Sequence, residues 1–294
     1  MNKQTVYALG FFDGIHLGHQ ALLTACKQLA AKQGLRAGVV TFTSHPDSLV
    51  SGTTPQLINT TEDRRTLLQT YGIEKIVELP FNRELMQMPW QDFICMLRET
   101  PYHAAGFVCG SDFRFGFKGE GTAKTLARYC DAAGMPCAIV PQQEIDGIRV
   151  SSTYIRGLIQ EGQVEKAATF LGHPHFITGT VVKGRGLGHT IGIPTANLAL
   201  PPEIVCPRYG VYACRVSLEG NTYAAVTNVG TRPTVGGENV TVEPWILDFD
   251  GDLYGKEITL QFLAFLRPEQ KFGSLEDLKT QIQTDAESTR LFFK

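Results

Sequence analysis

The first half of the chain alternates short apolar runs with longer amphipathic segments, and this rhythm constrains the fold more than any other feature. The runs have the length and composition of buried strands, and the segments between them carry apolar residues at helical spacing. The runs cover residues 5–10, 37–42, 75–80, 105–110 and 137–141, and the helical segments cover 17–33, 61–71, 92–99 and 122–133. This alternation predicts an α/β fold with a Rossmann-like parallel sheet. Such sheets bind ligands at the carboxyl ends of their strands.

The second half has a different rhythm, with short β-like runs rich in Gly, Pro, Thr and Val after residue 172. This pattern predicts an antiparallel β-barrel. A helical segment follows it, with Ser274 suited to cap the helix and Asp277 in the first turn. We therefore expect two domains, residues 1–172 and 173–294, joined by a linker near 172–177.

The bulk composition limits the functional classes to which the protein can belong. The 294 residues suffice for two domains, and a net charge of −2 argues against charge-driven binding to nucleic acid or an anionic membrane. The seven cysteines include no CxxC pair, which predicts reduced thiols in a cytosolic protein rather than disulfides or a zinc site. The sequence lacks a signal-peptide pattern and an apolar segment long enough to span a bilayer, so we expect a cytoplasmic protein.

The segment GFFDGIHLGH, residues 10–19, leads from the first predicted strand into the first predicted helix. Its glycines Gly10, Gly14 and Gly18 let the backbone approach a ligand, and the helix start supplies free N–H groups with a partial positive charge. His16 and His19 add donors on nearly one helix face, and imidazole can carry a charge near neutral pH. These features favour an anion site.

Other interpretations of the histidine pair compete with the anion site. A zinc pair on a helix usually sits at i and i+4 and needs a third protein ligand, and no nearby Cys or carboxylate completes such a set. The P-loop motif GxxxxGK[ST] is absent, which argues against a P-loop kinase. The residue types alone leave an anion site and a plain glycine-rich turn with two surface histidines both open.

Four ordered motifs carry a family resemblance. GFFDGIHLGH resembles the GxFDGxHxGH signature of the HxGH nucleotidyltransferases, specifically the adenylyltransferase half of the prokaryotic bifunctional riboflavin kinase/FAD synthetases. Three further motifs follow in the order of that family: TFTSHP at 41–46, GSDFRFGFKGEGT at 110–122 and VSSTYIR at 150–156. Together they indicate the relationship far more strongly than any one of them alone.

The resemblance implies a specific chemistry, in which a phosphate of FMN attacks the α-phosphorus of ATP and pyrophosphate leaves. Such a displacement needs positioning and charge neutralisation. The resemblance assigns contacts with the ATP phosphates to His16, His19 and Arg156, although Arg156 without its motif would pass for a solvated helix charge. Asp112 and Arg114 suggest a flavin or phosphate role, but an Asp–Arg loop can equally be a local ion pair. The other ATP contacts implied are Gly10, Phe12, Asp13, Gly14, Gly18, Ser152 and Thr153.

The second half resembles the riboflavin kinase module of the same family. Its motifs are GIPTANL at 192–198, YGVYA at 209–213, NVGTRPT at 228–234, VEPWILDFDGDLYGK at 242–256 and FLRPEQKF at 265–272. With the first half, the resemblance covers nearly the whole chain.

These motifs contain candidates for a second site. Thr195 and Asn197 offer hard oxygen ligands suited to Mg²⁺, and the resemblance assigns them the metal and the ATP phosphates, with a strand-edge turn as the alternative. Glu243 is the one carboxylate in an apolar stretch. By resemblance it is the general base for the riboflavin 5′-hydroxyl; an outward-facing strand residue is the alternative. The resemblance also implies that Asn228 and Arg267 contact the flavin.

The chain departs from the family pattern at three positions. Phe11 stands where the family usually has Asn, His189 where many relatives have Arg, and Trp245 where many have His. His189 could weaken phosphate binding, because His is a poorer permanent cation than Arg. These departures keep open two alternatives to a fully bifunctional enzyme: one active module beside a binding or structural domain, and a non-catalytic flavin or nucleotide sensor. The expected ligands are ATP, riboflavin, FMN and Mg²⁺, with FAD as the product.

Overall fold

The structure is a computed structural model that describes residues 4–50, 52, 54–182, 193–234 and 237–293, with the backbone alone for 232–234 and 237–239. The chain forms two compact units. Unit 1 contains residues 1–56 and 60–152, and unit 2 contains residues 57–59 and 153–294. Residues 153–172 thus belong structurally to unit 2, whereas the functional boundary at 172/173 stays a prediction.

Unit 1 is built on a parallel sheet. The strands of the unit are β1 (Thr5–Leu9), β2 (Arg36–Phe42), β3 (Lys75–Leu79), β4 (Ala104–Gly110), β5 (Arg114–Phe115), β6 (Gly121–Thr122), β7 (Cys137–Val140), β8 (Glu144–Ile145) and β9 (Ile148–Arg149). Five of them form the sheet in the order β3-β2-β1-β4-β7, and β5–β6 and β8–β9 are short antiparallel pairs. The predicted α/β fold and its five strands are confirmed.

Helices cover both faces of this sheet. They are α1 (Leu17–Gln33), α2 (Asp47–Val50), α3 (Thr61–Thr70), α4 (Arg83–Gln87), α5 (Trp90–Arg98) and α6 (Ala123–Ala132). Strand β1 is buried along its whole length because its side chains alternate between the two layers. Val6 and Ala8 pack in the core that contains α1 and α3, whereas Tyr7 and Leu9 pack in the core that contains α5 and α6. This two-sided burial explains why the strand reads as a continuous apolar run.

Unit 2 is an antiparallel barrel flanked by helices. Its elements are α7 (Ser152–Gln160), α8 (Val164–Leu171), β10 (Phe176–Thr180), β11 (Leu198–Ala199), β12 (Gly210–Leu218), β13 (Asn221–Thr234), β14 (Gly237–Ile246), β15 (Glu257–Arg267) and α9 (Leu275–Arg290). The six strands run in the order β10-β15-β12-β13-β14-β11. An antiparallel bridge between Val182 and Asn197 brings the two edges of the sheet together. The predicted barrel is confirmed.

The predicted cap of the last helix is also present. The hydroxyl of Ser274 accepts the backbone N–H of Asp277 at 3.1 Å, so α9 begins where the sequence predicts. All seven cysteines are free thiols.

Candidate functional sites

The sheet order places a crevice at the carboxyl ends of β1 and β4. The connections from β1 lead to β2 on one side, while β4 lies on the other side, so β1 and β4 flank the point where the strand order reverses. A cavity of about 340 Å³ opens there, lined among others by Gly10, His16 and His19 after β1, Gly110 at the end of β4, and Arg149. The structure therefore brings the GFFDGIHLGH segment to the ligand-binding edge of the sheet.

The turn between β1 and α1 has an unusual backbone. Phe12 and Ile15 have φ angles of 60° and 41°, in the left-handed region that side chains other than glycine rarely adopt. Both side chains are fully buried and pack in the core beside α1. Core packing therefore holds the turn in a strained conformation, a situation that is typical of functional sites.

His16 and His19 form a stacked pair at the start of α1. Their ring centroids lie 3.7 Å apart with an interplanar angle of 14°. His16 caps the helix, because its Nδ1 accepts the backbone N–H of His19 at 3.3 Å. Nδ1 of His16 must be unprotonated for this bond, which leaves the proton on Nε2.

Both imidazoles are neutral at physiological pH. Burial lowers the pKa of His16 to about 4. Burial also lowers the pKa of His19 well below its usual value, and the neighbouring His16 and Arg64 add to this effect. The pair therefore offers neutral hydrogen-bond donors, and we do not count it as a source of positive charge. The Nδ1 atom of His19 is buried and hydrogen-bonds to no residue that the structure describes.

Two glycines of the segment sit where a side chain would collide. A Cβ on Gly18 would lie 3.1 Å from Cε1 of His16, and a Cβ on Gly10 would lie 3.3 Å from the Phe12 ring. The other predicted residues of the turn are Asp13, which is buried, and Gly14, which has φ 77°. The segment is thus a closely packed turn with bare backbone beside the cavity.

The predicted Asp112 and Arg114 both line this cavity, but they do not pair with each other. The Asp112 carboxylate is ion-paired with Arg149, a residue absent from the predicted set, and both side chains are about half exposed. Arg114 donates to the carbonyl of Gly119 at 3.2 Å. Two arginines therefore face the cavity, one of them carried by β9 just before the VSSTYIR motif.

The VSSTYIR residues lie at the start of α7. Ser152 lines the cavity and donates from Oγ to the carbonyl of Asp13 at 3.0 Å. Thr153 and Arg156 follow Ser152 along α7 and belong to unit 2. Nη2 of Arg156 donates to Oγ1 of Thr153 at 3.1 Å.

A second, apolar cavity of unit 1 has a volume of about 790 Å³. Phe113 and Arg114 line both this cavity and the crevice, so the two share a wall. Aromatic side chains from several elements surround it, namely Phe42, Phe81, Phe93, Phe113, Phe115 and Phe117. Such a pocket suits a flat aromatic ligand.

Unit 2 gathers most of its predicted site residues around one cavity of about 290 Å³. Thr195, Asn228, Glu243, Trp245 and Arg267 all line it. Asn228 and Glu243 are direct partners in the pairing of β13 with β14, and Oε1 of Glu243 accepts a hydrogen bond from Thr241 at 3.0 Å. Glu243 therefore faces the cavity rather than the solvent side of the strand.

A further cavity of about 320 Å³ adjoins the first at Thr195, which lines both. Asp252 and Tyr254 are among the residues on its other side. Asn197 is buried, and its Oδ1 hydrogen-bonds to no residue that the structure describes. Asn197 is two residues from Thr195 along the chain, and this amide oxygen is a hard ligand of the kind that Mg²⁺ takes.

Arg267 lines the cavity of about 290 Å³, but its guanidinium already binds a carboxylate. Nε donates to both carboxylate oxygens of Asp285 at 3.1 Å, and Nη2 donates to Oδ2 of Asp285 at 2.8 Å. This buried bidentate pair ties α9 to the end of β15. The glycine-rich segment 184–192, including His189, lies outside the described residues.

Comparison with known proteins matches a different family model to each half of the chain. A family model for FAD synthetase matches residues 1–154, and a model for riboflavin kinase matches residues 171–293. A bifunctional riboflavin kinase/FMN adenylyltransferase from Listeria monocytogenes is 36% identical over 291 residues, covering 98% of this chain and 92% of the relative. The chain belongs to the bifunctional riboflavin kinase/FMN adenylyltransferase family.

Other members and one solved structure agree with this membership. The riboflavin kinase/FMN adenylyltransferase of Escherichia coli (strain K12) is 35% identical over 290 residues, covering 98% of this chain and 92% of that protein. A crystal structure described as a macrolide-efflux protein from Streptococcus pneumoniae is 34% identical with a TM-score of 0.90, and the match covers 99% of this chain and 95% of that one. Within the described residues of this family member, no helix is long and apolar enough to cross a membrane. The same residues contain no cluster of three or more His, Cys, Asp or Glu side chains suited to a metal ion.

Proposed function

We propose that unit 1 transfers the adenylyl group of ATP to FMN and that unit 2 transfers the γ-phosphoryl group of ATP to riboflavin. Family membership gives the chain both activities. The assignment of each activity to named residues rests on the geometry of the two sites. The observation that carries it for unit 1 is the stacked histidine pair at the helix start beside the crevice.

The unit 1 site is suited to hold the phosphates of ATP. The N-terminus of α1 supplies a partial positive charge, and the backbone at Gly10 and Gly18 is open to close approach. His16 and His19 donate hydrogen bonds to the phosphate oxygens as neutral imidazoles. Arg149 and Ser152, which line the crevice, supply the permanent charge and a further donor that the neutral histidines lack.

The apolar cavity is the proposed site for the ring system of FMN. Its aromatic lining matches a flat, conjugated ligand, and the shared wall at Phe113 and Arg114 leads from the ring site to the crevice. In this arrangement an oxygen of the FMN phosphate attacks the α-phosphorus of ATP, the bond from that phosphorus to the β-phosphate oxygen breaks, and pyrophosphate leaves. Asp112, paired with Arg149, orients that arginine toward the crevice.

Unit 2 is proposed to bind riboflavin in the cavity lined by Glu243 and ATP in the adjoining cavity lined by Asp252 and Tyr254. Thr195 lies where the two meet, which is where the γ-phosphate must meet the 5′-hydroxyl. The hydroxyl oxygen attacks the γ-phosphorus while Glu243 takes the hydroxyl proton. The bond from the γ-phosphorus to the oxygen that bridges it to the β-phosphate breaks, and ADP leaves. Asn228, opposite Glu243, holds the flavin, while Arg267 shapes the cavity through its pair with Asp285.

Mg²⁺ is the proposed metal of unit 2. Thr195 and Asn197 would hold it, consistent with the orphaned Oδ1 of Asn197. The ion supplies charge neutralisation for the phosphates of ATP.

Two substitutions test the assignments. His16→Asn removes the imidazole but keeps a good helix cap, so α1 remains capped while FAD formation from FMN falls about 100-fold. Glu243→Gln removes the base with almost no change of shape, and FMN formation from riboflavin falls about 100-fold. In each variant the other activity is the internal control for the unaltered unit, and the unfolding midpoint of the altered unit is the control for its folding. Normal FAD formation by His16→Asn would remove the unit 1 assignment, and normal FMN formation by Glu243→Gln would remove the unit 2 assignment.

A further inference from the structure

Arg64 of α3 is a buried arginine that binds the ends of two central strands. Its side chain is 1% exposed. Nη2 donates to the carbonyl of Phe42 at 2.8 Å, and Nη1 donates to the carbonyl of Phe11 at 3.3 Å. Phe42 ends β2 and Phe11 follows β1, so one guanidinium links the carboxyl ends of both strands.

The same guanidinium stacks on the residue that departs from the family pattern. Cζ of Arg64 lies 4.5 Å from the centroid of the Phe11 ring, and the other contact of that ring is an edge-on approach to His45 at 4.7 Å. A cation above an aromatic face is attracted to it, more strongly when both are shielded from water. The Phe11 ring therefore makes an aromatic contact that helps to hold Arg64 in place.

Burying this charge is costly, and its surroundings compensate only in part. Burial lowers the pKa of Arg64 from its ordinary value, while the nearby carboxylates of Asp13 and Glu78 favour the charged form. Arginine remains protonated under these conditions. Neutral donors would be enough to hydrogen-bond carbonyl oxygens at strand ends. The buried cation therefore does more here than make these hydrogen bonds.

The purpose follows from what lies next along the chain. The carbonyl of Phe11 immediately precedes Phe12, the first residue of the strained turn, and it also accepts a hydrogen bond from Oγ1 of Thr41 at 2.8 Å. Arg64 and Thr41 together fix the direction in which the chain leaves β1. That direction sets the position of His16 and His19 on α1.

We propose that Arg64 is a positioning residue for adenylyl transfer, which holds the β1–α1 turn in the shape that aligns ATP. This role rests on the proposed function of unit 1. Arg64 acts through the turn, since it is absent from the lining of the crevice described above.

The test compares three variants of the full chain. Arg64→Met keeps the length of the side chain without charge or donors, Arg64→Lys keeps the charge without the planar fork, and Arg65→Met changes the neighbouring arginine, which is 42% exposed and paired with Glu78. Steady-state kinetics of FAD formation give kcat and the KM for ATP, and FMN formation by unit 2 is the control for the unaltered part of the chain. The unfolding midpoint of each variant is recorded alongside.

Misplacement of the turn is expected to lower kcat more than it weakens the binding of ATP. We expect Arg64→Met to lose about 100-fold in kcat for FAD formation, Arg64→Lys about tenfold, and Arg65→Met less than about twofold, with the KM for ATP within about threefold throughout. If Arg64→Met lacks the unfolding transition of unit 1, that unit has unfolded and Arg64→Lys decides. A wild-type kcat in Arg64→Lys then overturns the proposal, and a tenfold loss with an unchanged unfolding midpoint supports it.

Two further outcomes would overturn the positioning role of Arg64. A rise in KM with an unchanged kcat would make Arg64 a binding residue and overturn the positioning role, as would wild-type kinetics of a folded Arg64→Met. His16→Asn, measured in parallel, distinguishes a failure of this proposal from a failure of the proposed function of unit 1, on which it rests. If His16→Asn forms FAD normally, the proposed site fails; if it is inactive while the Arg64 variants are normal, only the role of Arg64 fails.

Discussion

Gly18→Ala tests how closely the start of α1 is packed against the histidine pair. The new Cβ would lie 3.1 Å from Cε1 and 3.2 Å from Nδ1 of His16. Carbon atoms in contact prefer about 3.5–4.0 Å, so the His16 ring must move by about 0.5 Å. That movement lengthens the bond from the His19 N–H to Nδ1 of His16, which is already 3.3 Å.

The two effects of the methyl group on stability nearly cancel. Alanine in place of a helical glycine stabilises a helix by about 0.5–1 kcal/mol, and weakening the cap costs about 1 kcal/mol. We expect the unfolding midpoint of unit 1 to stay within about 2 °C of the wild type. FAD formation, by contrast, falls about tenfold because the donor geometry is displaced.

The assay pairs calorimetry with FAD formation from FMN and ATP. Gly157→Ala is the matched control, because Gly157 lies in α7 and a Cβ there would meet nothing within 4 Å. It gains the helix stabilisation in unit 2 without moving a histidine, so the unfolding midpoint of unit 2 rises while both activities are kept. A Gly18→Ala variant with wild-type FAD formation would refute the link between His16 geometry and catalysis. A large drop in its midpoint would show that the turn collapses rather than that one ring shifts.

Three further predictions concern unit 2. Asn197→Ala removes the proposed metal oxygen, so the Mg²⁺ concentration needed for half-maximal FMN formation rises about tenfold in a metal titration, while FAD formation is unchanged; an unchanged titration contradicts the Mg²⁺ site. Asp285→Asn weakens the buried pair with Arg267, so the KM for riboflavin rises and the unfolding midpoint of unit 2 falls; an unaltered KM would mean that the pair does not shape the cavity. Burial lowers the pKa of His175 from its ordinary value of about 6.5 to about 3. Between these pH values the unfolded chain binds the proton and the folded chain does not, so stability falls as the pH drops through this window. His175→Phe, which keeps an aromatic ring against Phe262, flattens that fall in calorimetry from pH 7 to 4, and an unchanged pH dependence contradicts the assignment.

Local sequence patterns were enough to predict most of the secondary structure. The helix predicted over residues 17–33 has those bounds in α1, and Ser274 caps α9, because caps and apolar periodicity depend on residues close in sequence. The histidine pair was also visible, since its members lie on adjacent positions of one helix face. Their neutrality was not, because it arises from burial that only the packed turn creates.

Contacts between distant segments could not be predicted in the same way. Arg64 stands in the charged run TEDRR, which is typical of an exposed helix start, yet it is buried against carbonyls from two strands. Arg267 lines a cavity, but Asp285, which binds its guanidinium, comes from a helix that follows the barrel. The aromatic cavity of unit 1 escaped prediction because its phenylalanines come from separate strands, loops and helices. Residue types indicate such groups only after the fold has placed them together.

The most direct test of a division of labour between the two units is a mixing experiment. Glu243→Gln supplies an intact unit 1 and His16→Asn an intact unit 2, and each is incubated alone and together with riboflavin, ATP and Mg²⁺. Each variant alone should convert riboflavin to FAD at about 1% of the wild-type rate, whereas the mixture should form FAD far faster through FMN released into solution. FAD formation by either variant alone as fast as by the mixture, or a mixture no faster than the single variants, would contradict the assignment of one complete reaction to each unit.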